Sequence, residues 1–504
     1  MMHRPNHQTT PRTASFLFLG IGTLLVVSLA LTNESLWIDE AHSALKAVQP
    51  SLADWWRMLA SERGSDLQMP FYMFYLWAWE KIAGHSEIAL RAANGPWFLL
   101  GQYVLFRSCR RSGLNPWPLC ALAAAQPFLW FYLNEARPYL MQYAAACVLC
   151  ALLFRAAQDS GAAVRPAALW VLTGGLLVLC GSSLLGVIWA AFAGVAWLWL
   201  VRDQFRNLRR PRCFAPLAAA ALSLAILGAY YFWTLRVGGR ASDIGRTDLA
   251  NVAFALYELL GLAGLGPGRL EIRAQGIEAF RQFGLLVGPL LIAGLAVAGL
   301  FAWSISRVCK RSSSRVVVAG CVYSLPPLLL LFALAYIQDF RLLGRHLMPL
   351  LPVILGSFAL GFSQIPHRVL AKILCASVVV IWLASSLSLR FAPRHRRDDY
   401  RTAAALAKSA LAQNEGVWWS ADTDAAAYYG VSLDNGAPKS ARLVIAPSRK
   451  ALENQPIPAL IVASKFDIYD PEDQLGSFLR SHSFAPVQQL PAFKIWRRPA
   501  PVPR

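Results

Sequence analysis

The stretch Leu36-Trp37-Ile38-Asp39-Glu40-Ala41-His42 places two adjacent carboxylates a few residues after the first apolar segment of the chain. Lipid phosphates lie close to the point where such a segment leaves a bilayer. We interpret Asp39 as a catalytic base at that surface, because carboxylates held next to other charges are typical of active sites. The alternative is that Asp39 and Glu40 only end a helix in a solvated loop.

The composition is that of an integral membrane protein. Of 504 residues, 56% are hydrophobic and only 15% are charged, and the mean hydropathy is +0.42. That leaves too little polar surface to cover a soluble globule of this size. The net charge of +20 comes from short basic clusters between apolar segments. This pattern fixes membrane orientation, so the bilayer rather than nucleic acid is the predicted partner.

The nine cysteines do not predict a disulfide framework, because all of them lie within or beside apolar segments. Cys147 and Cys150 form a C-x-x-C pair, but the pair lies inside the run AAACVLCALLF. Thiols in such a run are typical small packing residues.

The apolar segments predict about eleven membrane crossings. The first, ASFLFLGIGTLLVVSLAL, follows Arg4 and Arg12 and is long enough to be a retained anchor with its N-terminus in the cytoplasm. The ten others are predicted at 94–106, 116–134, 139–155, 167–183, 185–201, 214–234, 283–303, 316–338, 347–363 and 369–389.

Basic residues occur in each of the five connections that this count places in the cytoplasm. They comply with the positive-inside rule. The loops 33–93, 235–282 and 339–346, together with the tail from residue 391, are therefore predicted on the outer side. For a bacterial inner membrane this side is the periplasm.

The loop 33–93, here called the first loop, contains SLADWWRMLASE and PFYMFYLWAWEKIAG, which space aromatic and apolar residues at helical intervals. We predict two helices lying in the membrane interface. The alternative is that the second helix crosses the membrane, against which its shortness and Glu80 and Lys81 argue.

The tail, residues 391–504, changes to a mixed pattern of helices and strands: TAAALAKSALAQ, VWWS, TDAAAYYG, RLVIA, ALIVAS, PEDQLGSFLRSH and AFKIW. It predicts a small extracytoplasmic α/β domain. The chain is therefore divided into a transmembrane helical domain, 1–390, and a tail domain, 391–504.

Polar residues collect at the predicted outer ends of the spans, whereas the spans themselves contain almost no ionisable residues. An enzyme that faces outward has no nucleotide-sugar pool, so its donor has to be an activated lipid such as a polyprenyl phosphate ester. Arginines can stabilise the leaving phosphate, and one carboxylate can take the proton of the attacking hydroxyl. Candidates for these roles are Asp39, Glu40, Arg137, Arg341 and Arg345.

Four stretches resemble, in order, the signatures of the GT-C membrane glycosyltransferases, and most of all the protein-mannosyltransferase-like branch that includes bacterial aminoarabinose transferases. They are LWIDEAHSA (36–44), MPFYMFYLWAWEKIAGHSEIALR (69–91), NEARPYLM (134–141) and GRHLMPLLP (344–352). The resemblance covers residues 15–400. It implies a GT-C fold and transfer of a sugar from a polyprenyl-phosphate donor to an outer lipid, glycan or protein acceptor, with inversion.

The resemblance also implies roles for individual residues. Asp39 would be the general base, and Glu40 would position the base or the acceptor. The donor phosphate site would contain Glu135, Arg137, Arg345 and His346. Apart from the resemblance, Arg341 is a further candidate for the donor site, and His42, Asp66 and Arg91 are candidates for positioning the acceptor or the loop. No cofactor or metal ligand is predicted, and a divalent ion has no support in the sequence.

The sequence departs from the family pattern at two places. Gln68-Met69-Pro70 stands where relatives often have His-Pro-Pro, and Gly181-Ser182-Ser183 stands where many have a histidine. The identity of the sugar and of the acceptor is therefore not predicted.

Three alternatives stay open at the level of sequence. Glu135 and Arg137 could pair locally in a tight turn, Arg341, Arg345 and His346 could extend to the interface without binding a ligand, and Gly264-Leu265-Gly266-Pro267-Gly268-Arg269 is either a turn or a phosphate contact. The competing function is a lipid or glycan transporter, for which inverted repeats and broken helices at the membrane midplane would be typical.

Overall fold

The computed structural model describes residues 12–62, 64–238, 247–433 and 439–499. Arg4, residues 239–246 of the predicted outer loop, and 434–438 and 500–504 of the tail lie outside these ranges. The described chain forms two compact units. Unit 1 contains the described residues up to Leu31, Arg57–Tyr75 and Arg91–His395, and unit 2 contains Thr32–Trp56, Leu76–Leu90 and the described residues from Arg396 onward.

The helices before the tail are, in chain order, α1 (Arg12–Ala30), α2 (Ile38–Ala47), α3 (Leu52–Glu62), α4 (Pro70–Ala83), α5 (Glu87–Ala92), α6 (Gly95–Arg111), α7 (Trp117–Ala125), α8 (Pro127–Leu133), α9 (Tyr139–Gln158), α10 (Ser160–Ala163), α11 (Pro166–Ser182), α12 (Gly186–Val201), α13 (Phe205–Leu208), α14 (Pro211–Val237), α15 (Leu249–Leu259), α16 (Arg269–Gln275), α17 (Glu278–Arg281), α18 (Val287–Arg311), α19 (Ser314–Ile337), α20 (Leu351–Ser363) and α21 (Arg368–Phe391).

All eleven predicted spans are helical, and the chain is a multi-pass membrane protein. Among the described residues, seven helical segments are long and apolar enough to cross a bilayer: Tyr139–Gln158, Gly186–Leu208, Pro211–Val237, Gly284–Arg311, Ser314–Ile337, Gly344–Ser363 and Arg368–Phe391. Shorter apolar helices include Ala14–Ala30 and Pro166–Ser182. The count of eleven crossings stays a prediction.

The span predicted at 116–134 is two helices rather than one. α7 ends at Ala125, Gln126 has extended backbone with ψ 116°, and α8 begins at Pro127. Proline has no N–H to donate and disfavours helical backbone in the preceding residue, so the break follows from the sequence at this point.

The first loop contains more helix than its patterns predict. The predicted interfacial helices are α3 and α4, and α4, with 14 residues, is not among the seven spanning segments. The additional helix α2 starts at Ile38, so Asp39 and Glu40 lie in its first turn. The alternative that these acids end a helix is therefore wrong. Carboxylates in a first turn are stabilised by the positive end of the helix dipole.

The core of unit 1 surrounds α9, which packs against α6, α11, α12 and α19. Its side chains Tyr143, Cys147 and Leu149 are fully buried. Because α9 begins directly after the turn Asn134–Pro138, the central helix of the unit fixes the position of that turn.

The tail forms a five-stranded mixed sheet in unit 2, as the sequence predicts for an α/β domain. The strands are β1 (Val417–Ser420), β2 (Arg442–Leu443), β3 (Leu460–Ser464), β4 (Ala485–Leu490) and β5 (Phe493–Arg497), in the order β2-β1-β3-β5-β4. β1 is parallel to β2 and β3, whereas β5 is antiparallel to β3 and to β4. The helices of the tail are α22 (Tyr400–Ala412), α23 (Thr423–Tyr428), α24 (Arg449–Glu453), α25 (Phe466–Tyr469) and α26 (Gln474–Ser481).

Candidate functional site

The acidic pair at the start of α2 has two different environments. Asp39 is partly exposed, whereas Glu40 has no exposed surface. The Glu40 carboxylate accepts a hydrogen bond from Arg397 Nη1 at 3.1 Å, and only 8% of the Arg397 side chain is exposed. Buried carboxylates need such a partner because the loss of hydration is costly. Glu40 therefore anchors α2, while Asp39 is the more accessible of the two acids.

His42 lies two residues further along the same helix and contacts the tail. Its Nε2 lies 2.9 Å from Asp422 Oδ2 and 3.7 Å from Asp424 Oδ2. The buried Lys46, one turn later, lies 4.0 Å from Asp424 and donates a hydrogen bond to the His42 carbonyl at 3.1 Å. A histidine and a lysine of α2 thus meet two carboxylates of the tail.

Tyr429 joins two parts of the first loop to the tail. Its hydroxyl accepts a hydrogen bond from the Leu36 amide at 2.8 Å and donates one to Glu87 Oε1 at 3.2 Å. Arg401 Nε lies 3.3 Å from the same Glu87 oxygen. Burial raises the pKa of the Tyr429 hydroxyl, so it keeps its proton and can act as this donor.

In unit 1, the turn after α8 brings a buried arginine to a buried aspartate. Arg137 Nη1 donates to Asp66 Oδ1 at 2.6 Å, and both side chains are buried. The side-chain nitrogen Nδ2 of Asn94 donates to the backbone carbonyl oxygens of Tyr132, at 3.2 Å, and of Glu135. These bonds hold the turn. Arg137 thus forms an ion pair with Asp66, which lies 71 positions earlier in the chain. The contacts of Arg137 are therefore not confined to the turn.

The three candidates before α20 differ in exposure. Arg341 is exposed and its Nε donates to Asn251 Oδ1 at 2.8 Å. Arg345 is half-buried, with its guanidinium 6.0 Å from the centre of the Tyr139 ring. His346 Nδ1 accepts a hydrogen bond from the Leu343 amide at 3.2 Å, which caps the 3₁₀ helix Gly344–Leu350. Arg345 is therefore the best placed of the three to meet a ligand inside the unit.

Arg269, Glu258 and Tyr132 form a further charged cluster in unit 1. The sequence indicates Arg269 only as the last residue of the segment Gly264–Arg269, and it does not indicate Glu258 or Tyr132. Arg269 forms an ion pair with the buried Glu258, lies 3.5 Å from the Tyr132 hydroxyl, and stacks over the ring of Phe131 at 3.6 Å. Burial raises the pKa of the Glu258 carboxyl, and the Arg269 charge opposes this effect. The only signal in the sequence was the arginine that follows Gly-Pro-Gly.

The loop before Arg269 is a turn held by the 3₁₀ turn Pro393–His395, which follows α21. Arg394 donates to the carbonyl oxygens of Gly266, at 3.0 Å, and Gly264, at 3.1 Å. A Cβ at Gly268 would lie 1.9 Å from the Arg394 carbonyl oxygen, so a larger residue has no room there. This close packing fixes the position from which the Arg269 side chain extends.

The candidate residues are divided between the two units. Asp39, Glu40 and His42 belong to unit 2. The remaining candidates belong to unit 1: Asp66, Arg91, Glu135, Arg137, Arg341, Arg345 and His346. Arg91 and Glu135 are fully buried. In the part of the chain that the structure describes, no group of three or more His, Cys, Asp or Glu side chains could hold a metal ion.

Solved structures with this fold exist. A crystal structure of ArnT from Cupriavidus metallidurans bound to undecaprenyl phosphate matches 97% of this chain and 99% of its own chain, with 13% identity and a TM-score of 0.54. The chain has the ArnT fold. The same protein in the apo state matches 97% of this chain and 98% of its own, again at 13% identity, with a TM-score of 0.56. The predicted fold, a GT-C-like polytopic helical membrane protein with a small α/β tail, is thereby confirmed.

No family model matches the sequence. No curated protein sequence matches it either.

Proposed function

We propose that this protein is an inverting membrane glycosyltransferase that transfers a sugar from a polyprenyl-phosphate donor to an acceptor outside the cytoplasm. The observation that carries the proposal is the match to ArnT over nearly the full length of both chains. One of the matched structures holds undecaprenyl phosphate, a polyprenyl phosphate. The acid pair and the arginines of unit 1 are the groups that such a reaction needs.

In the proposed reaction, an acceptor hydroxyl attacks the anomeric carbon while Asp39 takes the hydroxyl proton. The bond between the anomeric carbon and the phosphate oxygen breaks, and the electron pair leaves with the polyprenyl phosphate. The position of Asp39 supports this role, because Asp39 is partly exposed on a helix whose neighbouring side chains Glu40 and His42 are held by contacts with Arg397 and Asp422.

The leaving phosphate gains negative charge, and arginines can stabilise it because each can donate two hydrogen bonds at once. Unit 1 offers Arg137, Arg269 and Arg345, each positioned by aromatic or acidic neighbours. Arg137 and Arg269 are ion-paired in this structure, which keeps them in place when no donor is bound.

For the location, we propose the bacterial inner membrane, with the N-terminus in the cytoplasm and the tail in the periplasm. The basic residues between the spans support this orientation. The donor would then approach within the outer leaflet of that membrane.

Two measurements test the proposal. The mass of the lipid-linked sugar that accumulates in cells lacking this protein identifies the donor. The purified protein is then incubated with that donor, radiolabelled in the sugar, and with membrane extract as the source of acceptor. Release of polyprenyl phosphate with transfer of label supports the glycosyltransferase. Movement of the intact donor across vesicles without cleavage would instead support the transporter.

A further inference from the structure

We infer that the tail positions the catalytic base: Asp422 and Arg397 are positioning residues that fix the direction of Asp39 through His42 and Glu40. The inference rests on the proposed function, because it takes Asp39 as the base. It concerns unit 2 alone, where all of these residues lie.

First, α2 is attached to the sheet at the carboxyl ends of β1 and β3. β1 and β3 are parallel neighbours. After β1 the chain continues to β2 on one side of this pair, and after β3 it continues to β4 and β5 on the other side. In open α/β sheets, the crevice at the carboxyl ends of such strands is the usual place for a ligand. Here Asp422 follows β1, and Lys465 follows β3.

The second step is that a segment of the same chain is bound at this edge. Asp422, after β1, contacts His42. Lys465, after β3, forms a buried ion pair with Asp398, and the adjacent Arg397 binds Glu40. The carboxyl ends of both strands are thus connected to α2. The usual ligand position of this domain is therefore used to hold the first loop.

The third step is the geometry of α2 itself. Successive residues of an α-helix are rotated by about 100°, so Glu40 lies about 100° to one side of Asp39 and His42 lies about 60° to the other side. Both flanking side chains are fixed to the tail by contacts of 2.9–3.1 Å. Rotation of α2 about its axis would break one or both, so the two contacts together fix the direction in which Asp39 points.

The test is the substitution Asp422→Asn. Asp422 also caps α23, because its Oδ1 accepts a hydrogen bond from the Ala425 amide at 2.8 Å. Asparagine is as good a cap as aspartate, so this substitution keeps the cap and removes the nearer of the two carboxylate charges that face His42, while Asp424 stays at 3.7 Å. The matched control is Asp399→Asn, because Asp399 caps α22 in the same way through the Thr402 amide.

Two readouts are measured on the full-length protein in detergent. Hydrogen–deuterium exchange of the peptide that contains α2 should increase in Asp422→Asn and in Arg397→Gln, and stay unchanged in Asp399→Asn. With the lipid donor identified above, Asp422→Asn should lower kcat by about 10- to 100-fold, since small displacements of a catalytic group have effects of this size. KM for the donor should change by less than about 3-fold, because the arginines of unit 1 are untouched.

The decisive comparison is between the effects of Asp422→Asn in the wild-type protein and in a His42→Gln variant. If Asp422 acts through His42, adding Asp422→Asn to a His42→Gln variant should cause no further loss of kcat and no further exchange. Unchanged exchange in α2, or full kcat despite increased exchange, would overturn the inference. If the wild-type protein transfers no sugar, the proposed function fails, and the exchange of α2 still decides whether the tail holds this helix.

Discussion

Arg397 donates a hydrogen bond to Glu40 over 3.1 Å, although 357 positions separate the two residues and Glu40 has no exposed surface. A charge without access to water depends on its partner, so this bond links the first loop to the tail energetically as well as geometrically.

Replacing Arg397 with methionine should leave the Glu40 charge buried. The expected loss is about 3–5 kcal/mol of the free energy of unfolding, measured as a lower unfolding temperature in detergent. The double variant Glu40→Gln/Arg397→Met should lose less than the sum of the single variants, because no charge remains buried. A loss below about 1 kcal/mol in Arg397→Met, the range of exposed pairs, would show that Glu40 does not depend on Arg397.

Removing one charge from the pair Asp66–Arg137 should also leave the other charge buried. Only 3% of the Asp66 side chain and 6% of the Arg137 side chain are exposed. Asp66→Asn is expected to destabilise unit 1 by about 3–5 kcal/mol. The control is Arg281→Gln, whose pair with Glu278 has a similar distance of 2.8 Å but is exposed, so that its loss should stay below about 1 kcal/mol. Equal unfolding temperatures of the two variants would contradict the importance of burial at Asp66.

His395 predicts a dependence of stability on pH. Burial lowers the pKa of His395 to about 4, and its Nε2 contacts the Gly264 carbonyl oxygen at 3.1 Å. In the unfolded chain the pKa is about 6.5, so protons bind preferentially to the unfolded state between these values. The contribution of the neutral His395 to the free energy of unfolding is therefore full above about pH 6.5. It is lost as the pH falls towards 4, by at most about 3 kcal/mol.

The variant His395→Gln tests this dependence, because glutamine retains an N–H donor for Gly264 and does not titrate. Its unfolding temperature should fall less than that of the wild-type protein between pH 7 and pH 4.5. Parallel curves for the two proteins would assign the pH dependence to other groups.

The eleven apolar runs and most elements of the tail could be predicted because hydrophobic periodicity is a local signal. The helices α24 and α25, of five and four residues, are too short to give this signal and were not predicted. The strand β4 was missed because it is an edge strand whose side chains are almost all exposed, so APVQQL has no buried face. The partners Glu40–Arg397 and Asp66–Arg137 could not be predicted either. Residues so far apart in sequence meet only through the folded chain, and neither pair has a local pattern.

Gly344 is expected to tolerate no side chain. A Cβ at this position would lie 2.5 Å from Glu258 Oε2 and 3.2 Å from the Phe128 ring, and Glu258 cannot move freely because it is paired with Arg269. Gly344→Ala should therefore cost about 1–3 kcal/mol. Gly356→Ala is the control, because a Cβ there meets no atom within 4 Å inside α20, and it should be neutral or slightly stabilising. Equal effects of the two substitutions would contradict the close packing at Gly344.

The most direct test of the account is the rate of sugar transfer by Asp39→Asn. Its control is Asp54→Asn, which changes another acid in the first turn of a helix of the same loop, α3. We expect Asp39→Asn to keep the unfolding temperature of the wild-type protein and to lower transfer from the polyprenyl-phosphate donor by about 10²–10⁴-fold, with Asp54→Asn close to wild type. Transfer by Asp39→Asn at the wild-type rate would contradict the role of Asp39 as the base.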